Sequence, residues 1–544
     1  MSILDRRADE IFLNGRVYTV DRGFSVVEAI AVRDGRILWT GTGDQVKKYR
    51  GAESRVFDLE GSAVIPGLVE SHAHILSYGE KALNIDCFMK EKDDILNRVR
   101  AAYEKLRPGE WIIGRGWNEL RWKNKTLPSK DDLDRVAPDA PVCMTRVCGH
   151  VSWVNSKALD AAGIDSLVSD PVGGEFHRTA SGELTGILAD TAAFQVQGAI
   201  PPITKERREE AYLAAQSDIL SLGLTSVHDL AANEAFDMDA AEFIGDLYRQ
   251  GKMKISISAY VSAESAEPAY KRGPFRGEFG GRFSMRGVKV FCDGSLGARS
   301  AWLLEDYSDR PGHRGNGRYS DDELYRIMIE ARRNGFQIAA HAIGDAANRQ
   351  IIGVYERIIR EIPEPKDHRC RIEHAQIVER GDMKRMLDLG VIPSMQFVHC
   401  TSDKEMTEDR IGAERLERAF AWRTLIDGGA VIPGGSDAPV ELINPFHGMY
   451  AAVTRMDRGG KPEGGWRPEE RISREEALRA FTIWGAYAAF EENTRGSIEP
   501  GKSADFAVID RDIVECRDSD IKETSVRATV LGGDIAYGGL RERS

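Results

Sequence analysis

In the stretch "VIPGLVESHAH", two histidines, His72 and His74, follow an apolar run and stand one residue apart. Residues i and i+2 of a strand face the same side, so both imidazoles can meet one ion. An isolated pair of this kind is weak, and the weight comes from what stands downstream. Lys289 in "GVKVF", His341 in "FQIAAHAIG", His374 in "RIEHAQ" and Asp437 in "GGSDAP" each sit near the end of an apolar segment. Imidazole and carboxylate donors suit zinc without any thiolate. A protonated lysine repels a cation, so Lys289 can join the set only after carboxylation or deprotonation. Otherwise it is an ion-pairing lysine and the site holds a single metal. Water, with a pKa of about 15.7, becomes a nucleophile at neutral pH when a bound metal brings that value to about 7. A second cation or positive donor can stabilise the oxyanion that forms on an attacked carbonyl. Asp437 is the carboxylate chosen as general base, taking the water's proton and returning it to a leaving nitrogen. The set is expected to form one metal pocket in which a bound water can be activated.

Such residues act together only if the chain gathers them. The middle of the sequence alternates apolar stretches ("LTSVHDL", "KISISAYVS", "GVKVFCDG", "VIPSMQFVH", "AVIPGGSDAP") with helical ones such as "SDDELYRIMIEARRNG" and "DAANRQIIGVYERIIREI". Strand–helix alternation predicts an α/β fold with a parallel sheet, and eight such strands fit a (β/α)8 TIM barrel. Barrels of this kind place their sites at the C-terminal strand ends, where the six residues fall. Asp293 shares strand parity with Lys289 and is expected to support a ligand rather than bind metal. His228 ends the second strand and His399 follows the seventh, so both are candidates to touch substrate. Trp117, Trp122 and Trp153 either line an apolar pocket or form the core of their own segment.

The first sixty residues read as short strands, with Asn14-Gly15 and Asp34-Gly35 predicting hairpins. The same texture returns only in "TRGSIEPGKSADFAVID" and "SVRATVLGGDIAYGG", so residues 1–66 and 495–544 are expected to form one composite sheet domain around a barrel spanning 67–494. The interval over 79–204 is too long for a barrel loop without structure of its own and is expected to be an inserted lid or subdomain.

Composition excludes several classes. The chain has 544 residues, a net charge of -12 and no dense basic block, which argues against nucleic-acid binding. No run of 18 apolar residues crosses a membrane, and the start "MSILDRRADEIFLNG" lacks the basic-then-apolar order of a signal peptide. Seven scattered cysteines (Cys87, Cys143, Cys148, Cys292, Cys370, Cys400, Cys516) have no disulfide spacing, and a reducing cytoplasm is the expected location. No dinucleotide fingerprint, phosphate loop or nucleophile elbow is present; "DGSLG" has the wrong spacing for the last.

The segments "LNGRVYTVD", "VIPGLVESHAH", "VKVFCDGSLGARSA", "AAHAIGDAAN", "RIEHAQ", "GGSDAPV" and "GSIEPGKSADFAVID", in that order, resemble the amidohydrolase superfamily of metal-dependent hydrolases. Within it, the chain is similar to the YtcJ-like branch that includes N-substituted formamide deformylases. The resemblance implies a TIM barrel with one or two divalent metals, usually zinc, a β-sandwich built from both termini and a large insertion after the first strand. It implies that His72 and His74 hold the more buried metal with Asp437, and that Lys289, N-carboxylated, bridges to a second held by His341 and His374. It also makes His150, in "RVCGHVSWVNSKAL", a candidate to orient the substrate carbonyl. The expected partner is a small-molecule amide, an N-substituted formamide or other N-acyl amine. Neither nucleic acid nor membrane is expected as a partner, and a homodimer is among the assemblies left open. The alternatives are a deaminase, against which Lys289 counts, a cyclic amide or lactone hydrolase, or a regulatory protein that kept the barrel.

Overall fold

The structure, a computed structural model, describes residues 7–146, 151–171, 174–231 and 237–543. Eight strands run in parallel order: β1 (Leu68–Ala73), β2 (Leu224–Leu230), β3 (Ser256–Ser262), β4 (Phe283–Phe291), β5 (Gln337–Ala342), β6 (Arg371–His374), β7 (Ile392–Gln396) and β8 (Gly434–Gly435). The first three are buried at every position, as expected where helices cover one face of a sheet and a packed interior the other. The helix Asp321–Arg333 starts at a capping box made by Ser320 and Glu323. The helix Asp345–Glu361 buries Ile351, Ile352, Tyr355 and Ile358 along one stripe. The barrel closes where β8 ends: Asp437 N–H donates to His72 O (2.8 Å) and His74 N–H to Ala438 O (2.9 Å).

The segment "VIPGLVESHAH" is two strands, not one. Ala63–Pro66 belongs to a sheet outside the barrel, and β1 begins after Gly67, where a Cβ would lie 2.3 Å from the Thr225 hydroxyl. Two sheets form the sandwich, and each mixes both ends of the chain. One orders Arg541–Arg543, Arg50–Asp58, Ala8–Leu13, Ala29–Arg33 and Arg36–Gly41. The other orders Asp534–Gly538, Val526–Leu531, Phe506–Ile509, Ala63–Pro66, Arg16–Tyr18 and Val26–Val27. Phe12, Ile30 and Phe57 from the first meet Val64, Phe506 and Val530 from the second in one core. Asp34-Gly35 is the expected hairpin, both residues having positive φ (51° and 72°) between paired Arg33 and Arg36. Asn14-Gly15 is not a hairpin. It is a corner that carries the chain from one sheet to the other, because Ala8–Leu13 pairs with Ala29–Arg33 while Arg16–Tyr18 pairs with Ala63–Pro66.

The chain divides into two compact units, Met1–Ile75 with Gln216–Ser544, and Leu76–Ala215. The second has its own mixed sheet, ordered Gly174–Arg178, Leu184–Asp190, Val151–Val154, Val142–Arg146, Ile112–Trp117 and Ile85–Asp86. Trp117, Trp122 and Trp153 pack together in its core at centroid distances of 6.0 to 6.5 Å. Trp117 is wholly buried and donates its Nε1–H to Met144 O (2.7 Å). It is therefore a core residue rather than a pocket wall, since a large amphipathic ring with its one polar group satisfied is most stable inside. His150 lies outside the described residues. Among the described residues, no helix is long and apolar enough to cross a membrane.

Candidate metal centre

The six predicted residues reach the C-terminal end of the barrel from β1, β4, β5, β6 and the turn after β8. Three histidines share one arrangement. His72 Nδ1 is 2.7 Å from Glu373 Oε2, His74 Nδ1 is 2.6 Å from Leu230 O, and His374 Nδ1 is 2.7 Å from Gln396 Oε1. Each partner is an acceptor, so each Nδ1 carries the proton and each Nε2 keeps its lone pair. The Nε2 atoms of His72 and His74 lie 3.3 and 3.0 Å from Asp437 Oδ1. Lone pairs facing a carboxylate oxygen at that range repel unless a cation stands with them.

His72, His374 and Asp437 offer donor atoms all within 4.8 Å of one another. This triad crosses the division implied by the resemblance, which put His374 with the second metal. The His341 ring lies 4.5 Å from that of His374, and its buried Nε2 has no hydrogen-bond partner. Lys289 is wholly buried at β4, with its Nζ likewise unpartnered. Buried nitrogens without a hydrogen bond are expensive in a finished interior, and here Lys289 Nζ and His341 Nε2, the latter with only the Asp293 carboxylate at 3.4 Å, sit beside three aimed imidazoles. The donor set fits a divalent cation.

Electrostatics agree. Burial, reinforced by the Lys289 charge, holds His72 below its ordinary value, and burial holds His374 well below, so both are neutral and able to ligate. Burial pushes Lys289 down to about 8, against the pull of Glu373 and Asp437, giving it the accessible neutral amine that carboxylation needs. Burial would raise Asp437, and positive charge on the histidine cluster would outweigh that and keep its carboxyl well below the usual range; with the imidazoles neutral, that charge has to come from a cation held among them. Asp437 has φ 59° and His374 φ 73°, left-handed conformations unusual for such residues. At His374 this turn breaks strand alternation, so that Glu373 and His374, neighbours in sequence, both serve the same cluster.

The supporting candidates fall differently. Asp293 accepts from Ile343 N–H (3.1 Å), Gly344 N–H and Trp302 N–H (both 2.9 Å), and lies 3.4 Å from His341 Nε2. It ties the turn that follows His341 at the end of β5 to the segment after β4. The His399 ring stacks 6.2 Å from His374, with its Nε2 buried and without a partner. His228 does not reach the mouth: it is wholly buried inside the barrel, its Nδ1 accepting from Arg371 Nη1 at 2.9 Å. Its Nε2 has no hydrogen-bond partner, but the whole ring is enclosed in the barrel interior, away from solvent. Sequence reasoning missed Glu373, Arg371, Gln396 and Glu70. For the first two the available signal was "RIEH", opposite charges two apart on one face of an otherwise buried strand.

Comparison with known proteins decides the family. A model of the Amidohydrolase family matches residues 55–537. The chain belongs to the amidohydrolase family. This amidohydrolase is 34% identical over 537 residues to the putative amidohydrolase YtcJ of Bacillus subtilis, covering 97% of this chain and 99% of that one. It is 28% identical over 548 residues to the N-substituted formamide deformylase of Arthrobacter pascens, covering 97% and 98%. Among solved structures it resembles an uncharacterized metal-dependent hydrolase from Pyrococcus furiosus, with a TM-score of 0.78, 28% identity, and coverage of 93% of this chain and 100% of that one.

Proposed function

We propose that this amidohydrolase cleaves the C–N bond of a small N-substituted formamide or related N-acyl amine, with His72, His74, Lys289, His341, His374 and Asp437 holding one or two divalent ions, zinc first among them. The observation that carries this reading is the convergence of the His72 and His74 Nε2 atoms on Asp437 Oδ1 with every Nδ1 proton already donated elsewhere. A bound divalent ion supplies Lewis acidity, lowering the pKa of water and polarising a carbonyl. The rest falls to the chain. Asp437, held ionised at neutral pH, accepts a proton from the attacking water and passes it to the departing nitrogen, which leaves as a neutral amine. Lys289, N-carboxylated, contributes an anionic oxygen donor in place of a cation. His399, half-buried and parallel to His374, would donate to a carbonyl or formyl oxygen. The amide reading draws on the similarity to a protein named as a formamide deformylase.

The test is a screen of N-formyl amines, N-acyl amines and aminated heterocycles with zinc-loaded protein, reading formate or carboxylate release beside ammonia release. Carboxylate with free amine is the expected outcome. Ammonia from an aminated heterocycle, with no amide cleaved, refutes it in favour of a deaminase.

A further inference from the structure

Arg371 is wholly buried, yet its guanidinium uses every edge. Nε donates to Glu373 Oε1 (2.7 Å), and Nη1 to Tyr260 Oη and His228 Nδ1 (both 2.9 Å). Nη2 donates to Glu373 Oε2 (3.0 Å), Ser71 O and Ser394 Oγ (both 2.8 Å). The Tyr260 hydroxyl then donates to Gln337 Oε1 (2.7 Å). Through Ser71, His228, Tyr260, Gln337, Ser394 and its own backbone, this one side chain joins β1, β2, β3, β5, β7 and β6. Glu373 completes the arrangement. Arg371 grips both its oxygens, and Oε2 also accepts the His72 Nδ1 proton.

Barrel interiors are ordinarily filled by branched apolar side chains. A buried ion pair is weak support for stability, since apolar residues of equal volume serve as well or better. Its retention here calls for another role, and geometry supplies one. The bidentate fork fixes the Glu373 carboxylate plane, and the fixed carboxylate dictates which His72 nitrogen bears hydrogen and where the other points.

We propose that Arg371 and Glu373 are positioning residues that lock His72 as its Nδ1–H tautomer and aim Nε2 at Asp437 and His374, so that they set the affinity of the centre for its metal. His228 is on this account a fixed acceptor for Arg371 and no ligand. This rests on the metal-centre reading above, and the experiment separates the two. Full-length protein, stripped by a chelator, is titrated with Zn(II) or Co(II) against a chromophoric competitor. Uptake of no divalent ion by the unsubstituted protein defeats the metal-centre reading itself. If it does bind, Glu373→Gln is expected to bind about 10–100-fold more weakly and to show an altered Co(II) visible spectrum. Affinity within about twofold and an unchanged spectrum overturn the proposal. Ser394→Ala, which removes one hub bond without touching Glu373, is expected to lower the unfolding midpoint and leave affinity within about twofold. An equal loss of affinity in both variants means a merely structural hub and also overturns it. Should Glu373→Gln not fold, the tautomer of His72 in the unsubstituted apoprotein decides, read by long-range 1H–15N correlation. Nδ1–H supports the proposal, and Nε2–H overturns it.

Discussion

Gly435→Ala is a small change with a large expected effect. A Cβ at Gly435 would lie 2.6 Å from Glu70 Oε1, 2.8 Å from His72 N and 3.0 Å from His72 Cβ. The last two are atoms of a buried strand, with no flexible end to swing aside. Glu70 Oε1 accepts from His72 N–H (2.8 Å) and Ser436 N–H (2.9 Å), so pushing it away weakens two bonds that pin β1 to β8. Overpacking costs about 1–3 kcal/mol and two displaced hydrogen bonds about 1 kcal/mol each, together about 3–5 kcal/mol. Relief by moving His72 a few tenths of an ångström exceeds the tolerance of roughly 0.2 Å on metal–ligand distances. Metal affinity should therefore fall about tenfold or more, about 1.4 kcal/mol. The assay is thermal unfolding of apoprotein beside metal competition, with Gly198→Ala as control. Gly198 ends the helix Thr191–Gly198, and a Cβ there meets nothing within 4 Å. Gly435→Ala with the midpoint and affinity of the control would refute the steric argument.

Asp437→Asn should lower turnover about 10²–10⁴-fold, the range of general acid–base catalysis, while much of the metal remains by elemental analysis. Intact-protein mass spectrometry of native-purified protein should show an added carboxyl group, absent in Lys289→Met; a bare lysine would mean a single-metal centre. Chelation should abolish turnover, and zinc or manganese should restore it. Burial pushes the Asp229 carboxyl up to about 7, with Oδ1 accepting from Ile75 N–H and Oδ2 unpartnered. A raised acid favours its neutral form in the folded state, so its stabilising contribution is complete below about pH 4 and is lost as pH rises through about 7. Apoprotein carrying Asp229→Asn should therefore gain stability relative to the unsubstituted chain between about pH 4 and about pH 8, read as the difference in unfolding midpoints. A pH-independent difference would show that Asp229 is not neutral when folded.

The candidate ligands were legible in the sequence because each stands near the C-terminal end of an apolar strand, and a parallel barrel brings such ends together whatever lies between. What escaped reading was the layer beneath them. Strand alternation sends Glu373 and His374 to opposite faces, and only the left-handed turn at His374 lets both serve one cluster. Leu230 O and Gln396 orient histidines through contacts that no spacing rule encodes. His228 ends an apolar segment as His341 does, but an interior guanidinium claims it, and a partner so distant in sequence leaves no local mark. The Asn14-Gly15 corner failed for a related reason: a turn dipeptide fixes a bend, while the choice of sheet depends on Ala63–Pro66, almost fifty residues on.

The composite sandwich has a consequence for synthesis. Ala63–Pro66 lies between Arg16–Tyr18 and Phe506–Ile509, and Arg50–Asp58 between Ala8–Leu13 and Arg541–Arg543. A ribosome making this chain releases the amino-terminal strands first and their carboxy-terminal partners last. For most of translation those strands expose open hydrogen-bonding edges and half of a hydrophobic core, the condition under which nascent chains pair with one another. Asp437 likewise emerges far behind His72, so the proposed metal centre cannot be complete until the barrel's last strand is out. Expression of this protein should thus respond to slower translation and to chaperones that shield strand edges, more than to metal in the medium.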